Sequence, residues 1–433
     1  MNTSTALLTD RYELTMLDAA IAAGTESREC VFEVFARRLS GGRRYGVLAG
    51  TGRLLDLIAD FRFEEPELSW LRDNSVVSQP TIDYLANYRF GGSVWGYREG
   101  ELYFPGSPVL IVEGSFGEAV ILETLALSVL NYDSAVATAA SRMVSAAAGR
   151  PVAEMGSRRT GERSAVAAAR AAWIAGFSAT SNLEAGRSWG VPTMGTAAHA
   201  FTLLHDTEEE AFQAQVNALG IGTTLLVDTF DVPTAVGRAV KVAGTGLGAV
   251  RIDSGDLPTL VAEVRDQLDS LGATETKITV TNDLDEHGIA ALAASPVDSY
   301  GVGTSLVTGS GHPAAGMVYK LVSHQNSAGE WIDVAKKSAS KAGVGGRKTP
   351  VRRHNRAGTA TAEVLRIHPD LEPAANEREL LVPLISNGVV DTNWTGTEGT
   401  VRAREHRENA LKSLPLEAFR LRAGDPVIPT YYE

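Results

Sequence analysis

The sequence predicts an α/β protein centred on a parallel sheet, closed as a barrel or left as an open wound sheet, with an α+β segment ahead of it. Three observations carry this expectation. Short apolar runs recur between Pro151 and about Lys320, amphipathic helical stretches separate most of them, and each run ends in a polar, charged or glycine-rich group. Strands that alternate with helices pair in parallel, because every helical crossover returns the chain to the same end of the sheet.

Bulk properties bound the rest. A chain of 433 residues exceeds the size at which single cores stop growing, roughly 250 to 300 residues, so two domains are expected. Hydrophobic residues make up 44% and charged residues 21%, the balance of an ordinary soluble globular chain. The opening Met1-Asn2-Thr3-Ser4-Thr5 has no basic stretch leading into an apolar core, and no uninterrupted apolar run approaches the roughly 20 residues of a membrane helix. A cytoplasmic protein with no membrane partner is expected. The single cysteine, Cys30, excludes an internal disulfide framework and a cysteine-rich metal cluster. It sits in the apolar run Cys30-Val31-Phe32-Glu33-Val34-Phe35, so it reads as a buried residue in preference to a thiol nucleophile. The net charge of -12 opposes nucleic acid as the main partner, since that requires a dominant cationic field.

Taken in order, Leu7 to Ile21 has helical spacing, Cys30 to Arg37 alternates as a strand, and Tyr45 to Ile58 and Pro66 to Leu71 look helical. Gly92 to Gly114 is broken by Gly and Pro into short strands, and Glu118 to Ala148 is one or two buried helices that end at Gly149-Arg150-Pro151. Seven strand candidates follow: Val152-Ala153-Glu154, Ile174 to Ala179, Val191 to Met194, Thr224 to Val227, Ala249 to Ile252, Ile278 to Val280 and Ser299 to Val302. Helical candidates between them are Glu208 to Leu219, Thr234 to Val242, Leu257 to Leu271 and Leu284 to Ala294. After Lys320 the pattern ends. The basic stretch Lys336 to Arg356 reads equally as a phosphate-holding loop or an exposed segment, and the tail is expected to pack against the N-terminal part.

In a parallel barrel the carboxyl ends of all strands open on one mouth, which collects the groups that close the runs. Gly301-Val302-Gly303-Thr304-Ser305 offers unobstructed N–H groups and hydroxyls suited to a phosphate monoester, with an ordinary glycine turn as the alternative. Arg251 and Asp253 lie two apart on one strand face, facing a ligand or forming a buried pair, while Asp256 is placed to cap the next helix. The adjacent guanidinium groups of Arg158 and Arg159 suit a carboxylate or a pyrophosphate. Val191 to Phe201 is expected to run strand, small-residue turn and helix, leaving His199 beside a ligand approach. Gly244-Thr245-Gly246-Leu247-Gly248-Ala249 has the letters of a dinucleotide loop but precedes a strand, so it reads as a helix-to-strand connection. No two histidines have zinc-ligand spacing, and no metal ligand is assigned.

Taken together, Thr9-Asp10-Arg11-Tyr12-Glu13-Leu14-Thr15-Met16, Phe32-Glu33-Val34-Phe35-Ala36-Arg37-Arg38, Gly156-Ser157-Arg158-Arg159, Ser181-Asn182, Gly195-Thr196-Ala197-Ala198-His199, Arg251 with Asp253-Ser254-Gly255-Asp256, and Gly303-Thr304 resemble the nicotinate phosphoribosyltransferase family. The match runs to about Lys320 and weakens in the tail. The resemblance implies an irregular TIM-like α/β barrel (126–329) plus an α/β sandwich domain formed by the N- and C-terminal parts (1–125 with 330–433). It implies a head-to-tail homodimer with active sites shared between subunits. The implied reaction joins nicotinate to phosphoribosyl pyrophosphate, giving nicotinate mononucleotide and pyrophosphate, driven by ATP with Mg2+. It also implies roles: His199 as the phosphorylated histidine, Tyr12 of the partner subunit stacked on the pyridine, Thr196 and Arg251 on nicotinate, Gly303 and Thr304 on the 5-phosphate. Arg158 and Asp253 complete the implied substrate site. Two positions depart from the pattern: Thr281-Asn282 stands where a serine-glycine pair is expected, and Met155 where the nicotinamide-using relative has an aromatic ring. The alternatives are a nicotinamide or quinolinate phosphoribosyltransferase, the latter without ATP, and a non-catalytic barrel that binds phosphorylated sugars.

Overall fold

The computed structural model describes residues 4–336, 343–367 and 372–433. They divide into two compact units, one from Met1–Thr138 with His312–Glu433 and one from Ala139–Gly311.

The first unit is built on a seven-stranded sheet in the order Trp331–Asp333, Met317–Gln325, Glu29–Ala36, Pro108–Ser115, Ser93–Tyr97, Leu381–Ser386 and Val389–Val390. All of its pairings are antiparallel. The period of two along Glu29–Ala36 sorts its side chains: Cys30, Phe32, Val34 and Ala36 enter the main core, while Val31 joins Ile111 and Val322 in a separate cluster. Burial pushes the Cys30 thiol up to about 12, so it stays protonated and inert. The tail does pack with the N-terminal part, since Met317–Gln325 and Leu381–Ser386 are strands of the same sheet.

The second half of the basic stretch is a buried strand, not an exposed segment. Residues 337–342 lie outside the described residues, and from Lys348 onward the chain is the strand Lys348–His354 of a four-stranded sheet. Two cations of this strand, Lys348 and Arg352, neutralise buried carboxylates. Lys348 donates to Glu33 at 2.8 Å, and Arg352 donates to Glu101 at 2.6 Å and to Glu363. Arg378 and His406 reach the second oxygen of Glu101 at 2.9 and 2.7 Å. Burial disfavours the Glu101 charge, but these three donors outweigh it and hold the carboxyl well below the usual range. A run of basic letters cannot distinguish a solvated face from a strand whose partners are acids hundreds of positions away.

The second unit carries a six-stranded parallel sheet in the order Ala179–Thr180, Val152–Glu154, Ser299–Val302, Lys277–Val280, Ala249–Ile252 and Thr224–Leu226. Its first strand pairs with its last, Val152 opposite Tyr300 and Glu154 opposite Val302. Every other neighbour follows chain order, so the sheet curls round on itself with one gap, between the Ala179–Thr180 edge and Thr224–Leu226. Two of the seven expected strands fall short. Ile174 ends the helix Glu162–Ile174, and only Ala179–Thr180 remains as a strand. The Val191 to Met194 run makes a single bridge, Thr180 to Thr193, because Pro192 has no N–H to give to a ladder.

Helices cover this sheet with the expected punctuation. Thr207 and Glu210 form a reciprocal capping box at the start of Glu208–Leu219. Asp256 stands at the N-cap of Leu257–Ser270, but its carboxylate accepts from the Thr259 hydroxyl at 2.9 Å and not from a backbone N–H. The stretch Phe116–Ala146 is long and apolar enough to cross a membrane by length and composition, and 67% of its most apolar window is buried in the structure, as in a core helix.

Replacing the cation of the buried cluster tests its weight. Arg352→Ala leaves Glu101 and Glu363 without their shared donor and is expected to cost about 3–5 kcal/mol, measured by chemical denaturation. A loss below about 1 kcal/mol would mean that the cluster behaves as a hydrated surface pair.

Candidate active site

Groups at the carboxyl ends of the parallel strands meet in a cavity of about 200 Å³. Arg158 reaches it from the turn after Val152–Glu154, Asp253 from the end of Ala249–Ile252, Asn282 from the end of Lys277–Val280, and Gly303 with Thr304 from the end of Ser299–Val302. A second cavity of about 360 Å³ lies among the strands themselves and shares Met155 and Arg251 with the first. Small residues line it, including Ala153, Ala179, Gly222, Gly248 and Ala249, so the interior is left open here instead of filled by bulky layers. Thr196 lines this inner cavity.

Arg251 and Asp253 share a strand face but do not pair with each other. Arg251 donates from Nη1 to the Thr196 hydroxyl at 2.8 Å and to the Ala197 carbonyl at 3.3 Å. Its Nε is buried and has no protein partner among the described residues. Asp253 accepts from the Thr281 hydroxyl at 2.6 Å. Arg158 and Arg159 lie on the short turn Ser157–Arg159, exposed and without an ion pair among the described residues. The mouth therefore offers guanidinium groups free for an anion within a chain whose net charge is -12.

His199 begins the helix His199–Leu204. Its Nε2 lies 3.1 Å from Asp228 Oδ1, with the histidine side chain 40% exposed and the aspartate 2%. The other Asp228 oxygen accepts from the Asp253 backbone N–H at 2.9 Å and the Ser254 hydroxyl at 2.7 Å. Asp228 thus ties His199 to the strand end that carries Asp253. Asp228 closes the strand candidate Thr224 to Val227 and was not among the expected site residues. Its signal was its place directly after the buried run Leu225, Leu226, Val227.

Tyr12 belongs to the first unit, on the helix Arg11–Ala23, where it is 44% exposed. Partial burial and the nearby Glu123 and Glu13 push its phenol up to about 12, so it stays neutral. The two departures from the family pattern both fall at the mouth. Asn282 lines the outer cavity, and the Met155 sulfur lies against Gly301, where an added Cβ would meet it at 2.7 Å. Among the described residues no cluster of three or more His, Cys, Asp or Glu could hold a metal ion by itself. The oxygen donors of Asp253, Asn282 and Asp283 in one cavity suit a hard cation that takes its remaining ligands from substrate phosphates and water.

The chain is similar to known proteins over nearly its whole length. A family model described as nicotinate phosphoribosyltransferase (NAPRTase) N-terminal domain matches residues 7–131. The chain is 55% identical to nicotinate phosphoribosyltransferase pncB1 of Mycobacterium tuberculosis, covering 98% of this chain and 94% of that protein. It is 36% identical to the nicotinate phosphoribosyltransferase of Bacillus subtilis, covering 78% of this chain and 70% of that one. Human nicotinic acid phosphoribosyltransferase shares the fold, with a TM-score of 0.82 at 24% identity over 98% of this chain and 97% of that one.

Packing at the mouth leaves no room for a side chain at Gly156, where a Cβ would lie 2.4 Å from a Val307 methyl and 2.9 Å from the Gly303 carbonyl. Gly156→Ala is expected to push the Arg158 turn away from the Gly303 loop and to cost about 1–3 kcal/mol, measured by urea denaturation. Unchanged stability would show that the two loops can separate freely.

Proposed function

The chain belongs to the nicotinate phosphoribosyltransferase family and is an enzyme of that class, and we propose that it transfers phosphoribosyl from phosphoribosyl pyrophosphate to nicotinate in the cytoplasm, with ATP hydrolysis coupled through a phosphorylated His199. The observation that carries this reading is the meeting of Arg158, Arg251, Asp253, Gly303 and Thr304 in one cavity, with Thr196 bonded to Arg251. We take the second unit as the irregular TIM-like barrel and the first as the sandwich domain. The functional form is a homodimer in which Tyr12 of one subunit stacks on the pyridine held by the other.

In this reading Arg251, whose Nε has no protein partner among the described residues, receives the nicotinate carboxylate, and the Thr196 hydroxyl bonded to Nη1 holds the guanidinium in the plane of the fork. The pyridine nitrogen then attacks the anomeric carbon of the ribose as its bond to pyrophosphate breaks. The transition state is cationic at the sugar and anionic at the leaving group, so positioning and charge stabilisation matter more than a strong nucleophile. Arg158 stabilises the leaving pyrophosphate, and Gly303 and Thr304 hold the 5-phosphate through N–H and hydroxyl groups. Magnesium, when bound at Asp253 and Asp283, would neutralise pyrophosphate charge.

The surroundings of His199 support its role as the phosphoacceptor. With Nε2–H donating to Asp228, Nδ1 keeps its lone pair, and no described residue engages it. Nδ1 attacks the γ-phosphorus of ATP as the bond to ADP breaks, and Asp228 keeps the Nε2 proton in place. The identity of the acceptor base follows from Arg251: a neutral amide would leave that guanidinium without its counter-charge, which favours nicotinate over nicotinamide.

Pyrophosphate release is expected with nicotinate and phosphoribosyl pyrophosphate, faster with ATP, and much slower with nicotinamide. Equal rates for acid and amide would remove the proposed role of Arg251, and release indifferent to ATP would remove the coupling. Incubation with γ-labelled ATP is expected to give acid-labile, base-stable label that His199→Ala abolishes, and undiminished label in that variant would sink the phosphohistidine.

A further inference from the structure

Glu154 is the last residue of its strand, fully buried, and paired with no cation among the described residues. Its carboxylate accepts from the Gly156 backbone N–H and from the Thr180 hydroxyl at 2.5 Å. The same hydroxyl accepts from the Asn182 N–H at 2.9 Å, and the Asn182 side-chain amide donates to the Ser157 hydroxyl at 3.0 Å. A chain of hydrogen bonds thus fastens Gly156 and Ser157, directly ahead of Arg158, to the end of the neighbouring strand.

The main chain of Thr180 holds a second loop. Its N–H donates to the Pro192 carbonyl at 2.9 Å and its carbonyl accepts from the Met194 N–H at 2.9 Å, two residues before Thr196. One residue therefore grips the Arg158 turn by its side chain and the Thr196 loop by its backbone. A buried carboxylate without a cation is costly, and burial pushes this one up despite its two donors. The geometry explains why an acid stands here. Both oxygens accept, one from an N–H and one from an O–H, whereas a glutamine has a single accepting oxygen and would turn the Thr180 hydroxyl into a double acceptor, from the amide and from the Asn182 N–H, with its own O–H left unused.

We infer that Glu154, acting with Thr180, is a positioning residue that sets the Arg158 guanidinium relative to the Thr196–Arg251 pair. In the function proposed above, on which the substrate names rest, this spacing separates the pyrophosphate subsite from the pyridine subsite.

The test is calorimetry of inorganic pyrophosphate binding to wild type, Glu154→Gln, Arg158→Ala and the double variant, with steady-state kinetics beside it. Glu154→Gln is expected to weaken pyrophosphate about tenfold and to raise the KM for phosphoribosyl pyrophosphate more than that for nicotinate. In the Arg158→Ala background it should have no further effect, because the group it positions is gone. An equal loss in both backgrounds, or unchanged pyrophosphate affinity in Glu154→Gln, overturns the inference. Thr180→Val should reproduce the loss while Thr180→Ser, which keeps the hydroxyl, retains affinity, and a loss in both variants also overturns it. Calorimetry needs no turnover, so a protein that follows this pattern yet releases no pyrophosphate with nicotinate would overturn the proposed reaction and not the positioning role.

Discussion

The pairing of Val152–Glu154 with Ser299–Val302 is the constraint from which the rest of the second unit follows. Parallel strands carry their carboxyl ends on one edge, but in a flat sheet those ends would spread along a line. Bringing the first strand against the last curls that line into a ring, and the groups that close each strand then face a shared space. Arg158 and Thr304 meet in one cavity because the strands that carry them are neighbours, although 146 positions separate them in the chain. The gap in the ring lies where Pro192 stops the ladder, and the loop freed there is the one that leads to Thr196 and His199.

Charge is handled differently in the two units. In the first, Arg352 and Lys348 are consumed by buried carboxylates, and their role is to make a polar interior tolerable. In the second, Arg158 and Arg159 have no acidic partner among the described residues, and the buried Nε of Arg251 has no protein partner among them. An acidic protein can bind polyanions under this division, because the local field at the mouth depends on which cations remain unpaired and not on the net charge.

The mouth is also held together by groups that touch no substrate in the proposed reaction. Asp228 reaches His199 with one oxygen and the Asp253–Ser254 strand end with the other. Glu154 and Thr180 do the same for the two loops on the far side of the ring. Asp228 and Glu154 are both acids with buried side chains at strand ends, and each ties the turn at one strand end to a neighbouring element through its two oxygens.

Much of this was legible in the order of residues. Ala249–Ile252, Ser299–Val302 and Glu208–Leu219 have the bounds their local periodicity implies, since strand and helix patterns repeat over two to four positions and depend on sequence neighbours. The groups at strand ends were likewise visible, because parallel topology assigns them to one edge. The sequence by itself determined which residues could reach the mouth. Tertiary structure alone decided their partners: Arg251 joins Thr196 across 55 positions and leaves Asp253, Asp228 joins His199 across 29, and the basic strand turns inward to Glu33, Glu101 and Glu363. A side chain's partner depends on strand order and on the face it occupies, and both are properties of the curled sheet that no local spacing encodes.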